Sequence, residues 1–182
     1  IKKHASLFVL AVASISFLAL NILLKDVLSD IEYGLYSILV TYCALLSSFG
    51  FLGCNQVLLR TSLVERKVLV VDSRLIYVML ITSVGVSLFS SYTICMFYDF
   101  GVSYFTLLLL SFSMISIKLS YQISRMLSMF TFSQLTLNLW KIGLPLFIFV
   151  SVCIKININV QAIIFFILTF CLLSLASFIP LF

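Results

Sequence analysis

Charge is scarce in this sequence: Asp, Glu, Lys and Arg make up 9% of the 182 residues, and only six residues are acidic. A soluble domain carries about 25% charged residues because its surface faces water, so a water-clothed globule is excluded. Histidine occurs once, as His4 in the basic N-terminal end, which leaves no imidazole for a Ser–His–Asp arrangement or a metal centre. No acidic residue falls inside an apolar run, so paired catalytic carboxylates are lacking, as is the intramembrane carboxylate that ion-coupled carriers commonly need. The five cysteines (Cys43, Cys54, Cys95, Cys153 and Cys171) show no CxxC spacing and read as small hydrophobes within or beside apolar runs.

Apolar mass is what the chain has instead. Hydrophobic residues reach 63%, with eighteen Phe and eight Tyr, and the mean hydropathy is +1.28. Six runs approach the roughly 20 residues needed to cross about 30 Å of hydrocarbon. They cover 5–24, 34–53, 75–97, 104–124, 135–154 and 160–182. The fourth continues as a more polar stretch toward Leu127. The runs are continuous rather than alternating, and backbone groups in lipid must pair within their own segment, so each reads as a helix. The predicted fold is an all-α membrane protein, a single bundle of about six transmembrane helices over 1–182. The first run is too long, and too poor in small residues at its end, for a removable signal peptide. The chain opens without Met and ends in the apolar Ser177-Phe178-Ile179-Pro180-Leu181-Phe182, which leads us to expect a piece of a longer protein.

Lys and Arg are distributed unevenly over the connectors. Lys2, Lys3, Arg60, Arg66, Lys67, Arg74, Lys118, Arg125 and Lys141 fall on one side, nine in all, against Lys25 and Lys155 on the other. By the positive-inside rule the N-terminus and the even-numbered connectors face the cytoplasm. The net charge of +5 therefore reflects topology, and no nucleic-acid partner is expected. The cytoplasmic connectors are read as the longer ones, Cys54 to Arg74 and Lys118 to Gln134. The apolar character of Asn55-Gln56-Val57-Leu58-Leu59-Arg60 lets the second helix continue past Gly53.

Arg60, Lys118, Arg125 and Lys141 are the cations nearest to apolar surroundings. Two arrangements suit them. Their stems can lie along lipid while the charge snorkels to headgroups, or they can face an internal cavity and grip an anion. Lys141 stands out because Leu139-Trp140-Lys141-Ile142-Gly143-Leu144-Pro145 sets it beside a spanning stretch, with Trp140 reading as an interface marker. Gly50, Gly53, Gly143 and Pro145 are candidate close-packing or flexing points. Ser, Thr and Asn within the runs, such as Ser47, Ser48 and Ser111, suit interhelical hydrogen bonds or back-bonding to the preceding turn.

Glu32-Tyr33-Gly34-Leu35-Tyr36-Ser37, then Ser48-Phe49-Gly50-Phe51 leading to Leu58-Leu59-Arg60, form a pattern. It resembles the polysaccharide (O-antigen type) flippases of the multidrug/oligosaccharidyl-lipid/polysaccharide exporter superfamily. Tyr121-Gln122-Ile123-Ser124-Arg125 through Phe132 is similar to that family's stretch before its fifth helix, with the Tyr/Arg pair more widely spread here. The resemblance implies one lobe of a two-lobe exporter in the bacterial inner membrane, with the N-terminus cytoplasmic. It implies flipping of an undecaprenyl-diphosphate-linked oligosaccharide for O-antigen and lipopolysaccharide biosynthesis, without catalysis. It also implies a cationic cavity recruiting Arg60, Arg125 and Lys141, with other polysaccharide-assembly membrane proteins and membrane lipids as partners. No cofactor or metal is expected. A membrane polymerase or acyltransferase is the rival class, but such an enzyme needs acid–base residues on a sizeable outer loop, and the outer connectors are short. A multidrug antiporter would be favoured by an acidic residue within a span.

Overall fold

The computed structural model describes residues 2–61, 63–65, 68–154, 156 and 158–177. Seven helices and one short hairpin follow in chain order: α1 (Lys2–Val27), α2 (Asp30–Phe49), α3 (Cys54–Thr61), β1 (Leu63–Glu65), β2 (Val68–Val70), α4 (Ser73–Phe97), α5 (Tyr104–Met126), α6 (Phe130–Cys153) and α7 (Val160–Ala176). Five of them, α1, α2, α4, α5 and α6, are long and apolar enough to cross a membrane, and α7 is apolar over a shorter described length. The protein is thus an all-α membrane bundle, its two strands pairing antiparallel between α3 and α4. Arg66, Lys67, Lys155 and the last five residues of the expected sixth span lie outside the described residues.

Polar side chains set several helix starts. Ser29 caps α2, and Glu32 reaches back to the Ser29 backbone N–H in a reciprocal capping box, which satisfies two otherwise orphaned donors. Asp72, Ser103 and Asn159 cap α4, α5 and α7 in the simpler way. The helix therefore begins at Asp30, ahead of the apolar onset at Gly34, because a cap and not hydropathy decides where the backbone turns helical.

Two expectations are corrected. The second helix does not run on past Gly53. It stops at Phe49, the chain turns through Leu52 (φ 48°) and Gly53 (φ +86°), and α3 starts afresh at Cys54. Positive φ is the left-handed region that glycine tolerates, so Gly53 is the natural pivot. The segment Lys118 to Gln134 is not a long connector either. α5 continues to Met126 and α6 begins at Phe130, because the polar residues of this stretch occupy one helix face, described below.

α5 is the central post. Leu107, Leu110, Met114, Ile115 and Ile117 are all buried, and α5 packs against α2, α4, α6 and α7 while α1 lies along α6. A side chain at Gly50 would collide with Ile115 of α5, so the glycine lets the end of α2 approach closely. Tyr42 donates to Ser90 Oγ at 3.1 Å and touches Ser111, whose hydroxyl lies 2.9 Å from that of Ser91. These hydroxyls tie α2, α4 and α5 with bonds that hydrocarbon cannot compete for. Gln161 at the start of α7 donates to the carbonyl of Gly101 at 2.9 Å, joining the α4–α5 and α6–α7 connectors at the end opposite α3. Outward, Phe8, Phe89 and Phe97 are at least 70% exposed, which in a lipid solvent is an ordinary surface.

Candidate functional site: a cationic cleft near the α3 end

Residues 118, 121, 122 and 125 are spaced i, i+3, i+4 and i+7, which places them on one face of a helix. On α5 these are Lys118, Tyr121, Gln122 and Arg125, and all four line a cavity of about 600 Å³. Ser48 at the end of α2, Asn55, Gln56 and Leu59 of α3, and Met126 and Phe130 complete its wall. The break at Gly50–Gly53 is what lets α3 contribute, since it redirects the chain so that Asn55 and Gln56 face α5. Lys118 also lines a second, smaller cavity of about 210 Å³ together with Phe17, Cys43, Ser47, Trp140 and Lys141. The two chambers therefore meet at one ammonium group.

The positions of the two lysines follow from helix geometry. At about 1.5 Å rise per residue, Lys118 lies about 12 Å from the end of α5 at Met126, and Lys141 about 16 Å from the start of α6 at Phe130. Both ends lie beside α3, and side chains lean toward the N-terminus of their own helix. Lys118 leans away from the α3 end and Lys141 leans toward it, so the two converge.

No acidic side chain lines either chamber, and among the described residues none of the three cations makes an ion pair. Aromatic faces partly replace the missing anion. Lys118 Nζ is 5.2 Å and Arg125 Cζ 5.6 Å from the Tyr121 ring centroid, and Arg125 Nη1 donates to the Tyr121 hydroxyl at 3.1 Å. Lys141 Nζ is 5.8 Å from the Phe17 ring and 5.6 Å from that of Trp140. Such contacts contribute about 0.5–2 kcal/mol each, more where water is excluded. That falls short of a full counter-ion.

Trp140 is buried, edge-on to Phe17 at a centroid distance of 6.0 Å, in the middle of α6. The interface-marker expectation is thereby overturned, because Trp140 packs inside the bundle and not at a helix end. Lys141 likewise sits mid-helix with its ammonium against two rings instead of extended to a helix end. Pro145 has no N–H, so the carbonyl of Lys141 loses its i+4 helical donor. An intramembrane cation in such a place is costly and marks a functional position.

Of the three residues singled out in the sequence, the fold brings Arg125 and Lys141 to adjoining chambers. Arg60 stands apart, exposed in the last turn of α3 and lining neither cavity. Lys118, Gln122, Asn55 and Gln56 were not singled out as ligand contacts. The i, i+3, i+4, i+7 stripe of 118, 121, 122 and 125 was the available signal. Gln122 is 7% exposed and its Oε1 has no hydrogen-bond partner, although buried acceptors are nearly always paired. No protein-family model, no curated protein and no solved structure matches this chain.

Proposed function

We propose that the chain is one lobe of a polysaccharide flippase that receives the diphosphate of an undecaprenyl-linked oligosaccharide in the cleft beside α3. The observation that carries this reading is the convergence of Lys118, Arg125 and Lys141 on a cleft whose walls hold no carboxylate. A diphosphate cannot enter hydrocarbon unaided, because burying an unpaired charge is very costly. Ammonium, guanidinium and hydroxyl groups in a low-dielectric wall replace its hydration by charge-assisted hydrogen bonds. The lipid tail stays among the helices while the headgroup occupies the cleft.

The Lys and Arg bias of the connectors supports a cytoplasmic α3 end, so the headgroup enters from the inner leaflet of the bacterial inner membrane. Transfer to the outer leaflet then requires the cleft to open alternately, by rocking against a second lobe. No covalent step is involved, and the substrate leaves chemically unchanged.

Complementation tests this reading. Deletion of the full-length gene abolishes surface polysaccharide and leaves lipid-linked repeat units on the inner leaflet, and the wild-type gene restores export. A Lys118→Met/Lys141→Met double variant at normal protein level fails to restore it. Normal export by that variant would return both lysines to snorkelling residues and remove the basis of the proposal.

A further inference from the structure

The larger chamber carries an acceptor that no anion can satisfy. Gln122 is 7% exposed, lines the cavity and leaves Oε1 unpaired. An ionised phosphate offers only acceptor oxygens, so whatever completes Gln122 must bring an O–H or N–H donor. Around it the wall is rich in groups that both give and take hydrogen bonds. Asn55, 9% exposed, uses its Oδ1 to accept from the Gln56 backbone N–H at 3.1 Å, which leaves its amide hydrogens to donate. Tyr121 accepts from Arg125 and keeps its own hydroxyl hydrogen. The smaller chamber, by contrast, pairs Lys118 and Lys141 with mostly apolar walls.

We propose that the two chambers divide one ligand: Lys118, at their junction, holds the phosphate, and Gln122 with Asn55 reads hydroxyl groups of the first sugar attached to it. The inference rests on the flippase reading and adds a location for sugar recognition. The cavity of about 600 Å³ falls within the roughly 300–1,000 Å³ of small-molecule sites, large enough for a sugar at the side of the diphosphate. Discrimination comes from the unpaired acceptor, since a ligand without a hydroxyl leaves Gln122 unsatisfied whereas one with a hydroxyl completes it.

The test uses the full chain in nanodiscs and two lipid probes, undecaprenyl diphosphate and undecaprenyl-diphosphate-N-acetylglucosamine. The wild type is expected to bind the sugar-bearing probe about tenfold more tightly than the bare one, and Gln122→Leu to bring that ratio to within about twofold of unity. Asn55→Ala, on a different helix, shifts the ratio the same way by a smaller factor and keeps the test alive if Gln122→Leu does not fold. A ratio of one in the wild type, or a ratio unchanged in both variants, overturns the inference. The flippase reading survives that result so long as Lys118→Met weakens the bare probe. A wild type that fails to bind bare undecaprenyl diphosphate removes both. Uridine-diphosphate N-acetylglucosamine competing as well as the lipid probe would assign the cleft to a soluble sugar phosphate and overturn the lipid-linked ligand.

Discussion

Helix α6 presents two unlike faces within two residues. Gly143 is turned about 200° around the axis from Lys141 and faces α7, where an added Cβ would come within 2.6 Å of the Phe170 ring. On that face Phe147 stacks on Phe166, and Phe166 on Phe170, each pair 4.4 Å apart. Ser174 of α7 donates to the Thr136 carbonyl at 2.9 Å. Near Lys141 the helix instead leaves a chamber of about 210 Å³ against α1, α2 and α5. Between helices in lipid there is little hydrophobic driving force, so close packing and hydrogen bonds hold them together. The α7 side has both. The cleft side has open volume and unpaired cations. One helix thus separates what stabilises the bundle from what binds.

Substitutions on the two faces should therefore part in their effects. The largest is expected from Phe166→Ala, which removes both ring stacks and lowers stability by about 3 kcal/mol, read as a fall in thermal midpoint in detergent. Undecaprenyl diphosphate binding by the fraction that remains folded should be unaltered. Next comes Lys141→Met: binding of that lipid weakens about tenfold or more for the loss of charge-assisted bonds. Thermal stability holds or rises, because a mid-span charge is removed. If Lys141→Met unfolds the protein, the ammonium is a structural keystone and the division between faces fails.

A smaller effect is expected at the hinge that brings α3 to the cleft. Gly53→Ala places a Cβ at φ +86° and costs about 1 kcal/mol, whereas Leu52→Gly relieves the positive φ and raises the midpoint. The smallest effect belongs to Arg60→Gln. Arg60 is exposed and lines neither chamber, so stability stays within about 0.5 kcal/mol and lipid binding is unchanged. A large loss of binding in Arg60→Gln would extend the site beyond the cleft walls.

The span count was legible because lipid imposes long apolar runs, and α1, α4 and the outer connectors follow the hydropathy closely. The start of α2 was legible too, but in Ser29-Asp30-Ile31-Glu32, a capping signature that hydropathy passes over. The end of α5 was obscured for a physical reason. Lys118, Tyr121, Gln122 and Arg125 face a cavity, so their polarity lowers the local hydropathy without ending the helix. Asn55 and Gln56 could not be assigned to the cleft from their own neighbourhood, because only the turn through Leu52 and Gly53 points them at α5. Trp140 misled for a similar reason: its preference for interfaces holds when the indole meets headgroups, and here it meets Phe17.

Equilibrium binding of undecaprenyl diphosphate to the wild type, Lys118→Met/Lys141→Met and Arg60→Gln, in nanodiscs of a zwitterionic lipid, bears most directly on the cleft. The account predicts similar affinity for the wild type and Arg60→Gln, and a loss of at least about tenfold in the double variant at unchanged thermal midpoint. Equal affinity in all three would contradict it, because the lysines would then have no part in holding an anion.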